Sequence, residues 1–402
     1  MRKFFTLLII GVLAVCSLGS CSDEAVDVDS VNKQTILVFY PWTGDASSVG
    51  LKPYLSYNVD SICNGIIAKK GLSNTRVLLF FSESYQQSTL YDLQYKESTG
   101  KVERVPLKTY EGTDYTTADG FADILNEVKQ DAEALNYALI IGAHGCGWTY
   151  ASDWTYYPYY ARKKMAGGQK TTRFFGSVST SATELGIDVS TLAEGIQKSG
   201  MKMQYILFDA CYMGNVETAY ELKDATNFLL ASGSEIMSDG VPYCSLWNYL
   251  NSATPNYENF VSGVVNFYKK TSSPYCNMAA IDCRQLDQLA SVMKEINSQY
   301  TLASTVPLDS IQSLDGFSPS LFYDLSVYVD SLYPSGYLKD KFTSQLKLTV
   351  KAAAHTDYAY TALKRNGSIK VNNYCGLTIS DPSKNSVAIK GREKTGWWKA
   401  TH

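Results

Sequence analysis

Short apolar runs alternate along residues 34–233 with stretches whose apolar residues recur every three or four positions. The runs predict five buried strands, at 35–40, 76–81, 137–143, 203–211 and 227–233. The stretches predict helices at 54–71, 120–135, 190–200 and 214–224. Apolar strands alternating with helices are typical of an α/β fold, in which helices cover both faces of a mostly parallel sheet.

Local signals refine some of these elements. One face of the 120–135 helix collects the apolar residues Phe121, Ile124, Leu125, Val128, Ala132 and Leu135. Thr191 and Glu194 have the spacing of a capping box, which predicts a helix start at Thr191. Beyond residue 245 the signal is weaker: 285–300 predicts a helix, 374–380 predicts a strand, and His355 lies on a stretch with a helical pattern.

The N-terminus predicts export. A short basic lead, MRKFF, precedes the apolar run TLLIIGVLAV, which is too short to span a bilayer. Leu18-Gly19-Ser20-Cys21 resembles a bacterial lipobox, which implies removal of residues 1–20 and a lipid on Cys21. The following SDE is similar to the surface-export tag of Bacteroidetes lipoproteins. We expect residues 21–33 to form an acidic tether, with the protein anchored to the outer membrane, on the cell surface or the periplasmic side. The alternative is an ordinary secretory signal with an incidental cysteine.

Charge and cysteine usage exclude several classes of protein. The chain has 36 basic and 39 acidic residues, a net charge of −3 and no strong block of one sign, so we expect no nucleic-acid partner. Outside the signal region its seven cysteines include no Cys-x-x-Cys pair, which argues against a zinc cluster and a dense disulfide framework. Their odd number leaves at least one thiol free or paired with another molecule.

Two strand ends carry chemically useful residues. The third strand leads into AHGCGW and the fourth into FDACYM, which contain His144 and Cys211. Functional side chains of open α/β sheets gather at the carboxyl ends of strands, so we expect these two residues to meet. A nearby imidazole and the N-terminus of the helix predicted after Cys211 would both favour the nucleophilic thiolate. Backbone N–H groups of Gly145 and Cys211 would stabilise an oxyanion.

Structural roles remain possible for each residue alone. A histidine after a strand is commonly a satisfied polar residue, and a cysteine in an apolar strand is commonly core filler. Cys146 is a rival nucleophile, but it shares a loop with the base and precedes no helix. We interpret His355 as structural.

The blocks AHGCGW, FDACYMGNVETAYEL and ASGSE…SDGVPY together resemble the clostripain family, within the caspase-like clan of cysteine peptidases. The resemblance covers most of residues 35–245, with a looser match at YCGLTISDP. It implies a caspase-like catalytic domain at 34–250, with a Cys211–His144 dyad. Residues 251–402 would form a C-terminal α/β extension of helices and strands packed on that domain.

Substrate preference follows partly from charge. Asp209 precedes Cys211 by two residues, so along a strand both side chains point to the same side. A carboxylate there would hinder a thiolate unless a cation lay between them, and a substrate arginine or lysine would be that cation. The family pairs such a residue with an acidic residue of a following Asp-Gly turn, which implies substrate binding by Asp209 and Asp239. The alternative for Asp209 is a capping or loop-organising carboxylate, and the alternative for Asp239 is a plain turn residue.

The segment between the two blocks is long and basic. Family members often cut themselves between histidine and cysteine after a basic residue, which implies self-activation at 162–173. The candidate positions are Arg162, Lys163, Lys164 and Arg173. The alternative is a solvated basic loop. Some members depend on calcium, but the chain has no Asp-x-Asp-x-Asp-Gly loop, so calcium stays open and no cofactor is required by the sequence.

These observations predict a lipid-anchored cysteine endopeptidase that cleaves peptides after Arg or Lys through an acyl-enzyme. One alternative is an inactive surface-binding lipoprotein of the same fold that presents the tyrosine-rich stretch 154–164. Another is a peptidase of the same clan that cleaves after Asn or Asp, which predicts a basic residue lining the substrate pocket.

Overall fold

The computed structural model describes residues 32–41, 51–84, 86–154, 186–364 and 367–402, and residues 32–402 belong to one compact unit. Cys21 and the cleavage candidates Arg162, Lys163, Lys164 and Arg173 lie outside the described residues. The signal peptide, tether, lipid anchor and cleavage loop therefore stay predictions. Within the described ranges, no helix is long and apolar enough to cross a membrane.

A nine-stranded sheet runs through the middle of the molecule, in the order β10-β8-β7-β6-β5-β1-β2-β3-β4. Its strands are β1 (Gln34–Tyr40), β2 (Thr75–Ser84), β3 (Gln87–Lys96), β4 (Lys101–Glu111), β5 (Tyr137–Gly142), β6 (Met203–Asp209), β7 (Thr226–Ala231), β8 (Asn277–Asp282) and β10 (Val350–His355). The five strands β7-β6-β5-β1-β2 pair in parallel and correspond to the five predicted strands, of which those predicted at 137–143, 203–211 and 227–233 end one or two residues earlier in the structure. The predicted mostly parallel sheet is therefore confirmed.

Antiparallel strands extend this parallel centre on both sides, with β3 and β4 at one edge and β8 and β10 at the other. The sequence pattern did not predict them. β4 is largely exposed along its length, so it lacks the apolar run that marks a buried strand. Two short antiparallel pairs lie outside the main sheet: β9 (Tyr323–Asp324) pairs with β13 (Thr378–Ile379), and β11 (Tyr358–Tyr360) pairs with β12 (Ser368–Lys370).

Helices cover both faces of the sheet. They are α1 (Lys52–Ala68), α2 (Ala118–Asp131), α3 (Val189–Lys198), α4 (Val216–Glu221), α5 (Tyr243–Leu250), α6 (Tyr257–Tyr268), α7 (Leu286–Asn297), α8 (Leu325–Ser331), α9 (Gly336–Thr349), α10 (Ser386–Gly391) and α11 (Gly396–Thr401). Helices α1, α5 and α6 pack on one face, which we call face A. Helices α2, α3, α4 and α7 pack on the other, face B. Strand side chains alternate between them: Ile36 and Val38 belong to face A, and Leu37 and Phe39 to face B.

Three local predictions were wrong. Helix α2 ends at Asp131, so Leu135 leaves the apolar face and is 66% exposed, whereas the other five apolar residues are buried. The N-cap of α3 is Asp188, and Thr191 lies inside the helix. His355 ends strand β10, because antiparallel pairing with β8 outweighs the local helical pattern.

The segment 251–402 contributes strands β8 and β10 to the same sheet as residues 34–250. Its other elements include α6 to α11, of which α6 packs on face A and α7 on face B. A domain boundary at residue 250 stays a prediction.

Candidate active site

The loops that follow β5 and β6 carry His144 and Cys211. The two strands are parallel neighbours, and their last residues, Gly142 and Asp209, are register partners. His144 and Cys211 each lie two residues beyond that pair, so the two loops leave the sheet at the same level. The expected juxtaposition of the two strand ends is therefore present.

The His144 loop rests directly on the backbone of Cys211. A Cβ placed on Gly145 would lie 2.2 Å from the Cys211 carbonyl oxygen and 2.8 Å from its nitrogen. Only glycine fits so close an approach. Any side chain at position 145 would collide with the backbone of Cys211 itself.

The next glycine closes the same loop. Gly147 has φ +64°, in the left-handed region, and a Cβ there would lie 2.7 Å from the Asn215 amide nitrogen and 2.8 Å from the Phe322 ring. Trp148 is buried in the face A core with Cys146. The loop therefore turns tightly over residues that follow Cys211.

The Cys211 sulfur is held by a backbone segment that the sequence did not single out. Its Sγ accepts the Ile236 N–H at 3.2 Å and lies 3.8 Å from the Ile236 carbonyl oxygen. Cys211 is fully buried, and His144 is 6% exposed. The predicted helix after Cys211 is α4, a six-residue helix whose N-terminus is capped by the Asn215 side chain. Ile236 lies 25 positions along the chain from Cys211, so the sulfur is held by a segment distant in the sequence.

Tyr212, directly after Cys211, has a strained backbone. Its φ is +60°, a conformation that costs a non-glycine residue about 1–3 kcal/mol unless the surroundings hold it. Its N–H donates to the Ser234 carbonyl at 2.9 Å, and its hydroxyl donates to Glu235 Oε1 at 2.7 Å. Its ring stacks on Phe322 at 5.3 Å. Burial, with the Glu235 charge beside it, raises the pKa of Tyr212 well above its ordinary value, so the hydroxyl keeps its proton and donates.

Glu235 also ties this corner of the site to the C-terminal region. Its carboxylate accepts the Ala362 N–H at 3.1 Å, and the side chain is 1% exposed. Both Glu235 and Tyr212 belong to blocks that carried the family resemblance, but no local pattern assigned them a role. Only the folded chain brings the 212, 235 and 362 segments together.

Asp209 lies at the end of β6 and is fully buried. Its Oδ2 accepts the Tyr243 hydroxyl at 3.0 Å and the Val241 N–H at 3.3 Å. Tyr243 and Val241 belong to the face A core, as does Cys211. Asp209 and the nucleophile candidate therefore share one face, as the strand alternation predicted.

Asp239 is placed differently. It is exposed in a turn, and its backbone carbonyl accepts the Asn58 side-chain amide at 2.9 Å. The segment 239–243 thus contains both Asp239 and the two residues that bond Asp209. Asp239 therefore lies within four residues of both groups that bond Asp209, but it is exposed whereas Asp209 is buried.

Metal ligation has little basis in the described residues. Within them, no group of three or more His, Cys, Asp or Glu side chains is placed to hold an ion.

Comparison with known proteins agrees with this geometry. The clostripain family model matches residues 43–341, which is well over half of the chain. The crystal structure of iotapain, a secreted C11 cysteine protease from Bacteroides thetaiotaomicron, is 36% identical to this chain. It covers 92% of this chain and 99% of its own, with a TM-score of 0.82.

Two other solved structures are similar. A clostripain from Bacteroides thetaiotaomicron, in complex with the peptide inhibitor BTN-VLTK-AOMK, is 42% identical over 57% of this chain and 99% of its own, with a TM-score of 0.54. An inactive zymogen C11 protease from Parabacteroides distasonis shares the fold, at 22% identity over 92% of this chain and 98% of its own, with a TM-score of 0.74. The search of curated proteins found no match.

Three findings agree with the family resemblance: the match to the family model, the similarity to iotapain and the contact between the loops that follow β5 and β6. The resemblance expected from the sequence blocks is confirmed, and with it the expectation of an enzyme. The chain belongs to the clostripain family of cysteine proteases.

Proposed function

We propose that the protein is a cysteine endopeptidase that cleaves peptide bonds after arginine or lysine, with Cys211 as nucleophile and His144 as general base and acid. The observation that carries the proposal is the contact of Gly145 with the Cys211 backbone. It fixes the loop that bears the imidazole against the residue that bears the thiol.

The chemistry follows from these groups. His144 takes the proton of the Cys211 thiol, and the thiolate attacks the carbonyl carbon of the scissile bond. The oxyanion accepts hydrogen bonds from the N–H groups of Gly145 and Cys211, each of which stabilises the transition state by about 3 kcal/mol. His144 then protonates the leaving amine, and a water that His144 activates hydrolyses the thioester acyl-enzyme.

Specificity for a basic side chain rests on Asp209 and Asp239. The buried Asp209 carboxylate has two neutral donors, Tyr243 and Val241, and a substrate cation would balance its charge. Asp239 is exposed in the adjoining turn, where it can meet the end of a long side chain. The inhibitor named for the 42% identical clostripain carries the peptide VLTK, which ends in lysine, and this supports the assignment.

Export, anchoring and activation complete the proposal. The protein is exported and held by a lipid on Cys21, and a 36% identical relative is described as secreted, which supports export. It is made as a single chain that cuts itself at 162–173, after Arg162, Lys163, Lys164 or Arg173. The full burial of Cys211 supports such an activation step, because a substrate reaches the sulfur only after a rearrangement.

Turnover of matched fluorogenic peptides tests the dyad. Peptides ending in Arg, Lys, Asn or Asp are assayed under reducing conditions, with and without calcium, on wild type, Cys211→Ala and His144→Ala. Cys146→Ala is the matched control, since it removes a buried thiol of the neighbouring loop. We expect wild type to turn over Arg or Lys peptides, Cys211→Ala and His144→Ala to lose this activity, and Cys146→Ala to keep it. Loss in Cys146→Ala with activity retained in Cys211→Ala would reverse the assignment of the nucleophile.

Asp209→Asn and Asp239→Asn test the specificity residues. We expect both to raise KM for Arg and Lys peptides, and Asp209→Asn to do so more strongly because its charge is buried. Turnover confined to Asn or Asp peptides would keep the nucleophile and discard both acidic residues. An absence of turnover even after limited trypsin nicking would instead favour the surface-binding lipoprotein.

Gel analysis tests self-activation. Wild type is expected to separate into two fragments under assay conditions, whereas Cys211→Ala stays full length. A variant with alanine at Arg162, Lys163, Lys164 and Arg173 should also stay full length. Wild-type protein that remains intact while it turns over peptides would contradict self-cleavage.

A further inference from the structure

One C-terminal residue contacts the segments that follow both candidate catalytic residues. Ser380 Oγ accepts the Trp148 indole N–H at 2.8 Å, and Trp148 lies four residues after His144. The Ser380 backbone N–H donates to Glu217 Oε1 at 2.6 Å, and Glu217 lies six residues after Cys211. All three side chains are buried. Ser380 is therefore a direct bridge between the two catalytic loops.

The residues around Ser380 add to this bridge. The Thr378 N–H donates to the Gly214 carbonyl at 3.0 Å, and Thr378 pairs as an isolated parallel bridge with Asn215. Further along, Gly391 packs so closely on Trp148 that a Cβ there would lie 2.9 Å from the indole ring.

An ion pair holds the far end of the His144 loop to the same region. Lys394 Nζ lies 2.8 Å from the Asp153 carboxylate. The C-terminal residues 378–394 thus contact the His144 side at several points and the Cys211 side at several others.

We propose that residues 378–380, centred on Ser380, act as a strap that positions the His144 and Cys211 loops relative to each other, and that Glu217 makes this strap sensitive to pH. Ser380 and Glu217 are positioning residues, since Ser380 acts through Trp148 and Glu217, and Glu217 acts through Ser380. The proposal rests on the proposed roles of the dyad. It gives the C-terminal segment a function in a site whose catalytic residues lie outside it.

The physical need for a strap comes from the loops themselves. A cut at 162–173 would separate His144 and Cys211 onto different fragments, joined only by the folded sheet and by such cross-contacts. Ser380 bonds both fragments at once, so it fixes their relative position after cleavage. Small misplacements of catalytic groups, of about 1 Å, can cost on the order of 100-fold in rate.

The pH sensitivity comes from two buried carboxyls. Burial, and to a lesser extent the nearby Asp381 charge, raises the pKa of Glu217 to about 8. Burial also raises the pKa of Asp381 to about 7, which Arg392 opposes. The other charged or titratable groups that face the pair are Tyr328 and, 4.0 Å from Asp381, the C-terminal His402. Glu217 Oε2 and Asp381 Oδ2 are buried and have no hydrogen-bond partner among the described residues. Protonated Glu217 therefore fits the site, and its ionisation near Asp381 places two like charges beside the strap.

Ser380→Ala tests the strap, with Ser383→Ala as the matched control. Ser383 is also buried, but its hydroxyl donates to the Ser320 carbonyl at 2.6 Å and contacts neither catalytic loop. We expect Ser380→Ala to lower kcat about 5- to 30-fold, the equivalent of one lost buried hydrogen bond, with KM for an Arg peptide nearly unchanged. Ser383→Ala should keep wild-type kcat. Equal losses of kcat in the two variants, once folding is verified by thermal melting, would overturn the strap.

Glu217→Gln tests the pH sensitivity. Glutamine keeps the Oε1 acceptor for the Ser380 N–H but cannot ionise. We expect kcat of Glu217→Gln to equal that of wild type near pH 6 and to exceed it about tenfold near pH 9, one pH unit above the Glu217 pKa. Glu217→Ala, which removes the acceptor, should lower kcat at every pH. Superimposable alkaline limbs for Glu217→Gln and wild type would overturn the role of Glu217.

The same turnover assays distinguish a failure of this inference from a failure of the proposed function. If Cys211→Ala keeps turnover, the dyad fails whatever Ser380→Ala does. If Cys211→Ala is inactive while Ser380→Ala behaves like Ser383→Ala, the dyad stands and only the strap fails.

Discussion

Replacing Gly145 by alanine is the sharpest perturbation of the candidate site, because it adds a single methyl group where the His144 loop contacts the Cys211 backbone. The added Cβ would lie 2.2 Å from the Cys211 carbonyl oxygen and 2.8 Å from the Cys211 nitrogen. Ordinary van der Waals contact begins at 3.4 Å, so the loops must separate by about 3.4 minus 2.2, or 1.2 Å. Both close atoms are backbone atoms, which no rotamer change can move aside.

The magnitude of the effect follows from that separation. Overpacking of this kind costs typically about 1–3 kcal/mol of stability. A displacement of about 1 Å between catalytic groups costs on the order of 100-fold in rate. We therefore expect Gly145→Ala to lose about 100-fold in kcat while remaining folded at 25 °C.

Steady-state turnover of an Arg peptide, with thermal melting in parallel, measures both effects. Gly336→Ala is the matched control: Gly336 begins α9, and nothing lies within 4 Å of a Cβ placed there. That variant should match wild type in kcat. If Gly145→Ala kept kcat within about twofold of wild type, the close contact between the two loops would not be part of the working site.

Three other predictions rest on single contacts. Tyr243→Phe removes one hydrogen-bond donor from the buried Asp209 carboxylate, so kcat/KM for Arg peptides should fall about 5- to 30-fold. The fall should be smaller for peptides that lack a basic residue, and equal losses for all peptides would contradict a role in specificity. Glu217→Gln should flatten the pH dependence of the melting temperature. The raised pKa of Glu217 contributes stability that is fully present below the ordinary glutamate pKa of 4.5 and is lost as pH rises through about 8. The melting temperature of wild type should therefore fall more than that of the variant across this pH range. Gly65→Ala places a Cβ 2.7 Å from the Trp247 Cβ at the packing of α1 on α5, and it should lower the free energy of unfolding in urea by about 1–3 kcal/mol while leaving kcat of the folded protein unchanged.

The sequence by itself determined the parallel centre of the sheet and the location of the candidate site. Apolar runs such as 35–40 and 203–209 are buried on both faces, so composition alone marks them as central strands. The loops that carry His144 and Cys211 leave the sheet side by side because β5 and β6 are parallel neighbours that end at the same edge. The acidic candidate Asp209 also falls where alternation along β6 places it.

Only the tertiary structure decided the rest of the site. The N–H donor to the Cys211 sulfur, the strained Tyr212 with its Glu235 acceptor, and the Ser380 bridge all join residues 20 or more positions apart. Local periodicity carries no information about such pairs, because each partner has its own unremarkable local pattern. The same reason explains the edge strands and His355, whose strand exists through pairing with β8 rather than through its own helical pattern. Short-range preferences determine the central strands and the helices that cover them, whereas long-range contacts determine the edge strands and the surroundings of the candidate site.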